Sequence, residues 1–347
     1  MIRDKSVQEH KFTSTGIKFW RHAEQMINYR AGSGSTIIST HISPEGACNL
    51  SCPYCSVTYR DTHERIELDV IKQYVLDLKT RGLKAVILTG GGEPTAYKHI
   101  NELVRFVHGE GLSVAMITNG TLTHKLADDV LKLFTWVRVS VNMFDGWEDK
   151  IKFPYDKVSD KCVVGCSSVF TADHEKPEDT VDKLEMYRRI SKVADNCGAK
   201  YIRLLPNCLL TQDKLIKQHE ALDEVLVQVN DPRYFHQYKL HGAPTQSKCH
   251  QSYFRPYLSE VNGGTVYPCD SVVLNGAIAH FGKAYQICEA KDVLKYLDGE
   301  FGHKFDATKN CKGCVFTDNV NMLDDWVNGR VNRFDEFKTP LQHEEFV

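Results

Sequence analysis

Three thiols stand close together in "CNLSCPYC", at Cys48, Cys52 and Cys55, with C-x3-C-x2-C spacing. The stretch follows an apolar run and precedes a polar turn, so the thiols ride on a loop rather than on one face of a helix. Three thiolates this close can curl around one compact inorganic body, and because a [4Fe-4S] cube has four irons, three cysteines leave one iron open to another ligand. The same residues permit other readings. A structural zinc site would need a fourth ligand, for which His63 is the nearest candidate. A redox pair of Cys52 and Cys55 would leave Cys48 without a purpose. Three buried free thiols sit poorly beside "NLS" and "PY", which are turn-forming.

Further residues suited to binding stand where apolar runs end. "TGGGEP" supplies Gly91, Gly92 and Glu93, glycines that let a backbone approach a ligand closely. "TNG" contributes Asn119, "SVN" contributes Ser140 and Asn142, and "YIRLLPN" contributes Arg203. Ordinary capping of a strand end explains these four polar residues as well as ligand contact does. A second thiol set comprises Cys249, Cys269, Cys311 and Cys314, two flanking a Gly-Gly turn and two in a C-x2-C pair. Four such thiols make a complete site for zinc, or for a cluster with no vacant iron. Cys288 lies between the halves and competes for one position. Cys162 and Cys166 are four apart on one strand and so share a face, which makes them hydrogen-donor candidates if that face lines a cavity, or plain core residues if it does not.

The elements that must position these groups alternate in type. Strands are expected at 36–42, 84–90, 112–118, 136–142, 162–170 and 200–206, separated by segments of helical spacing. Such alternation implies an α/β fold with a parallel sheet, and six strands suit a partial barrel with its chemistry at the C-terminal strand ends. A helix is expected across 17–31 before the first strand, and the end of the chain reads as a polar extension. The connection 143–160 reads as an irregular loop, an ordinary surface insertion or part of a substrate mouth.

Composition narrows the class. The chain has 347 residues, a formal net charge of -2 and 42% hydrophobic residues, which suits a globular protein and argues against a nucleic-acid or anionic-membrane surface. No export segment or membrane-length apolar run is visible, so the expectation is a soluble cytoplasmic protein with reduced thiols and no membrane partner.

The cysteine loop, with Tyr54 before its last thiol, and the Gly-Gly-Glu turn after the second strand resemble the radical S-adenosylmethionine (radical SAM) superfamily. The resemblance implies a partial (β/α)6 TIM-like barrel over 36–244, after an N-terminal helical extension over 1–35. It implies a [4Fe-4S] cluster on Cys48, Cys52 and Cys55 whose open iron binds S-adenosylmethionine, with Gly91, Gly92 and Glu93 meeting the cofactor's amino group. Asn119, Ser140, Asn142 and Arg203 are the further cofactor contacts it suggests. The implied reaction is reductive cleavage of the cofactor to a 5′-deoxyadenosyl radical that removes hydrogen from a small-molecule or peptide substrate. An electron donor such as flavodoxin or ferredoxin would feed it. The second thiol set resembles the SPASM and twitch extensions of that superfamily. With no cysteine after Cys314, the shorter twitch type is implied, a small domain over 245–330 holding one auxiliary [4Fe-4S] cluster, before a tail over 331–347. An auxiliary cluster that accepts an electron makes an oxidoreductase. A redox-neutral isomerase or epimerase is the alternative enzyme, and a zinc-stabilised binding module the alternative outside enzymes.

Overall fold

The structure is a computed structural model that describes residues 6–52, 54–141, 150–170, 183–275, 283–301, 306–311, 313–338 and 340–347. Seven parallel strands follow one another in spatial order: β1 Ser39–Ile42, β2 Ala85–Leu88, β3 Ser113–Thr118, β4 Trp136–Ser140, β5 Val163–Phe170, β6 Ile202–Pro206 and β7 Tyr234–His236. The six expected strands are all present, and the partial barrel of α/β type is the observed architecture. β7 is an addition. Only three residues long, it gives too little alternation to stand out in the sequence.

Burial on both faces explains the apolar character of these strands. Val86 and Leu88 of β2 point outwards into the main core, while Ala85 and Ile87 point into the barrel. Outside lie α3, Leu68–Lys79, and α4, Ile100–Gly109. Ile71, Tyr74, Val75 and Leu78 on α3 and Ile100, Leu103, Val104 and Val107 on α4 repeat the same helical spacing and are all buried. Further on, α6, Lys183–Asn196, covers β5 and β6, and α7, Gln212–Val229, leads into β7. Between β3 and β4 the expected long helix shrinks to α5, Asp128–Leu131, because Leu126 and Ala127 are extended.

The chain after residue 245 joins the same sheet. β8, Tyr257–Ser259, pairs parallel with β1, and β9, Thr265–Tyr267, and β10, Cys288–Glu289, continue antiparallel from it. The hairpin that lies between Cys249 and Cys269 is therefore paired, through β8, to the strand that precedes the three-cysteine loop.

Both chain ends close the barrel from below. The expected helix at 17–31 is split at His22, between a 3-10 turn over Gly16–Arg21 and α2, Ala23–Arg30. The His22 ring is held by Glu344 O at 2.9 Å and the Lys84 ammonium at 3.2 Å, contacts that fix the break. The tail is not the polar extension its composition suggests. Phe346 and Val347 are buried, and the Phe346 ring meets Trp136 edge-on at 5.3 Å among Ala85, Ile87 and Ala115.

Candidate metal and cofactor site

The three-cysteine loop leaves β1 at Ile42 and is stapled to its surroundings by the backbone. Gly46 N–H donates to Glu64 O at 2.9 Å, and Cys55 N–H to Cys52 O at 3.0 Å, which curls the last two thiols into a turn. All three cysteines are half-buried. The Cys52 thiol is pushed up by burial and then by Cys55 and Cys48, so the three sulfurs share one electrostatic neighbourhood. Arg60, which sequence reasoning passed over, ties the loop together: it donates to Gly46 O at 2.7 Å, Val57 O at 3.0 Å and Cys55 Sγ at 3.6 Å. Its charge opposes, without reversing, the rise that burial imposes on Cys48 and Cys52. His63 is exposed on the same loop.

The Gly-Gly-Glu turn after β2 docks against this loop. Gly92 N–H donates to Glu45 O at 2.9 Å, Glu93 N–H to Ala47 O at 2.8 Å, and Gly91 N–H to Ser43 Oγ at 2.6 Å. A Cβ on Gly92 would lie 2.1 Å from Ala47 O, and one on Gly91 would lie 1.9 Å from the Glu260 carboxylate. Close approach therefore requires glycine at both positions. The Glu93 side chain turns away from the turn's surface: its carboxylate accepts from Thr95 N and Oγ1, Thr118 Oγ1 and Asn119 N, which ties the ends of β2 and β3 together. With the three N–H groups of the turn already donated, its main-chain carbonyls are the groups suited to a ligand's donors. Glu260, at the end of β8, is a further residue the sequence did not flag. It is buried and accepts from Ser259 Oγ at 2.9 Å, and burial raises its carboxyl above the usual range.

Asn119 reaches the cysteine loop, with Nδ2 3.0 Å from Asn49 Oδ1 and 3.9 Å from Cys48 Sγ. Ser140 ends β4 on the face shared with Arg138, which points into the barrel. Asn142 lies outside the described residues. Arg203 also points inward, but deeper, donating to Gln237 Oε1 at 3.0 Å. Cys162 and Cys166 do not line the barrel. They belong to the outer core, where Cys166 packs against Cys197 at the end of α6, so the hydrogen-donor assignment is corrected. Inward positions on β5 are the alternate ones, Gly165 and Ser167 among them.

Below the turn lies a cavity of about 230 Å³ inside the barrel, walled by His41 of β1, Arg138 of β4, Tyr201 and Arg203 before and on β6, and Phe316 near the second thiol set. Cys249, Cys269, Cys311 and Cys314 line one small adjoining pocket, and Phe316 belongs to both walls. Burial raises all four thiols, and Cys249 feels Cys314 and Cys311 in turn. Cys288 is not in that pocket; it packs against the outer core near Tyr74.

Residues 42–166 match the profile of the radical SAM superfamily, a stretch that holds both the three-cysteine loop and the Gly-Gly-Glu turn. This stretch is a radical SAM domain. Among curated relatives, the S-adenosylmethionine-dependent nucleotide dehydratase of Selenomonas ruminantium is 33% identical over 85 residues, 24% of this chain and 30% of that protein. A probable GTP 3′,8-cyclase of Pyrococcus abyssi is 31% identical over 134 residues, 38% of this chain and 43% of that one. The chain covers less than half of either relative's own length. Streptococcus suis SuiB, solved with the precursor peptide SuiA, superposes with a TM-score of 0.57 at 13% identity, over 88% of this chain and 77% of SuiB, a likeness of fold. A radical SAM domain implies S-adenosylmethionine and a [4Fe-4S] cluster, and the donor set fits them: three thiols on one loop that share an electrostatic neighbourhood beside Arg60, abutting the Gly-Gly-Glu turn.

Proposed function

We propose that this chain is a radical SAM oxidoreductase with two iron-sulfur centres, acting on a substrate held in the barrel cavity. Cys48, Cys52 and Cys55 would hold the cluster with the open iron, and the main chain of Gly91, Gly92 and Glu93 would receive the cofactor's amino group. When bound, cluster and cofactor together supply a one-electron cleavage whose product takes a hydrogen atom from a substrate C–H bond. The residues of this chain orient the reactants and exclude water, since the cavity is sealed below by Trp136 and Phe346.

One observation carries the oxidative reading: the four-thiol pocket shares the Phe316 wall with the barrel cavity. Four thiol ligands leave no vacant iron, which favours electron acceptance over substrate ligation. Loss of a hydrogen atom, then of one electron and one proton, removes two electrons from the substrate in total. The outward placement of Cys162 and Cys166 takes those two thiols away from the alternative, a redox-neutral epimerisation with a thiol donor. The cavity's size suits a small molecule better than a peptide chain. Flavodoxin or ferredoxin is the proposed electron source and the cytoplasm the proposed setting, and no helix among the described residues is long and apolar enough to cross a membrane.

Anaerobic reconstitution tests the proposal. The expected result is about eight irons with matching sulfide per chain, falling to about four in the double substitution Cys311→Ser, Cys314→Ser, which retains cofactor cleavage. One zinc and no iron would instead support a zinc-stabilised binding module.

A further inference from the structure

The barrel cavity is far more positive than the chain that forms it. Lys18, Arg138, Arg203, Lys239 and Arg255 all line it, with Asp270 the one acidic side chain on its wall among the described residues, while the whole chain carries a formal charge of -2. Neutral groups satisfy most of these cations. Lys18 Nζ donates to His343 O at 2.9 Å, Arg138 to Tyr201 Oη at 3.0 Å and Phe12 O at 2.6 Å, and Arg203 to Gln237 Oε1 at 3.0 Å. Among the described residues, the Arg255–Asp270 contact at 3.1 Å is the one ion pair these five cations make with an acidic side chain, and Arg255 also donates to Val347 O at 3.0 Å.

That leaves an excess of buried positive charge among the described residues. Arg203 Nε has no hydrogen-bond partner, and burial followed by Arg138 pulls the Arg203 guanidinium down to about 9. Burial brings Lys18 down to about 7, and Lys239 is lowered by burial with Arg203 and Arg255 adding to it. A desolvated cation without a counter-charge costs several kcal/mol, and such groups cluster where a ligand or reaction uses them.

We propose that this cavity receives a small organic anion, a substrate whose phosphate or carboxylate group is bound by Arg138, Arg203 and Lys239. Arginine forks match the oxygens of either group. Trp136, Tyr201 and Phe316 frame the same space and supply apolar surface for a compact carbon body. The arrangement also fixes direction. Arg138 lies two residues before Ser140, the last residue of β4, and Arg203 three before Pro206, the last of β6, so the backbone positions of these two cations sit about 7–10 Å beneath the strand tips. An acid group anchored there would leave the rest of the molecule pointing up towards the Gly-Gly-Glu turn. The inference deepens the proposed function and rests on it only in calling the anion a substrate.

The test uses the full chain, reconstituted anaerobically, titrated calorimetrically with inorganic phosphate and with acetate against chloride at matched ionic strength. Saturable binding of at least one is expected, weakened about ten-fold or more in both Arg203→Met and Lys239→Met. Circular dichroism identifies any variant that does not fold, and the other then decides. Binding of phosphate alone assigns a phosphoester, and of acetate alone a carboxylate. No saturable binding of either, or binding that the folded variants leave unchanged, overturns the inference. Iron content and S-adenosylmethionine binding are read on the same samples. Their absence from the unsubstituted protein refutes the radical SAM oxidoreductase reading without touching the anion result.

Discussion

Replacing Glu93 by glutamine separates a structural carboxylate from a ligand contact. In the folded chain, Oε1 accepts from Thr95 N at 3.1 Å, Thr95 Oγ1 at 2.6 Å and Thr118 Oγ1 at 2.6 Å, and Oε2 accepts from Asn119 N at 2.8 Å. Glu93 is 3% exposed and Thr118 2%, so water cannot substitute for a lost acceptor. Glutamine keeps one oxygen. In its better orientation that oxygen serves the three donors at Oε1, and the new amide then faces the Asn119 N–H, donor against donor. One charge-assisted hydrogen bond is lost, a half-buried N–H is orphaned and three bonds lose their ionic character, together about 2–4 kcal/mol. Anaerobic urea unfolding of the reduced apo protein measures this loss. A double-mutant cycle with Thr118→Val should return about 1 kcal/mol of coupling, because the two side chains share a bond. Binding of S-adenosylmethionine to the reconstituted protein should fall only as far as the turn is displaced. A stability change under about 0.5 kcal/mol combined with a hundred-fold loss of cofactor affinity would refute the reasoning, since the carboxylate would then be touching the cofactor.

Three other perturbations follow from the same geometry. Gly92→Ala places a methyl against the carbonyls of Ala47 and Glu45, backbone that cannot rotate away, so iron and sulfide incorporation after reconstitution should drop sharply while the circular dichroism spectrum stays folded. Phe346→Ala empties the base of the barrel beside Trp136 and should lower stability by about 3–5 kcal/mol in thermal or urea unfolding. His22 is lowered to about 4 by burial and then Lys84, and His343 to about 3 by burial and then Lys18 and Arg138. Between pH 6.5 and those values the unfolded chain binds protons that the folded chain refuses, so stability is full above about 6.5 and declines as pH falls towards 4; His343→Gln should flatten that decline, as read by unfolding at stepped pH.

The legible part of this protein was local. C-x3-C-x2-C and Gly-Gly-Glu stand in continuous stretches, and each strand and helix around them repeats its own period, so the barrel and its loop could be read in order. Arg60 and Glu260 were not legible because what distinguishes them is a neighbour distant along the chain or a turn that only folding closes. Glu260 touches Gly91 across 169 positions, and nothing in "LSEVN" announces it. β7 and β8 escaped because three residues carry too little alternation. Phe346 and Val347 escaped because two apolar residues after a polar stretch look the same whether exposed or inserted.

The sequence by itself determined the donor sets, since thiol count and spacing are properties of the covalent chain, and it determined the parallel α/β order through hydrophobic period. Tertiary structure alone decided which faces those residues occupy. It turned Cys162 and Cys166 outwards, kept Cys288 out of the four-thiol pocket, and gathered five cations from two strands, the N-terminal segment and the connection between β7 and β8 around one cavity. The reason is that burial and electrostatic excess depend on which segments meet, and segments such as Lys18, Arg138 and Arg255 meet only once the sheet has closed and the two ends of the chain have packed beneath it.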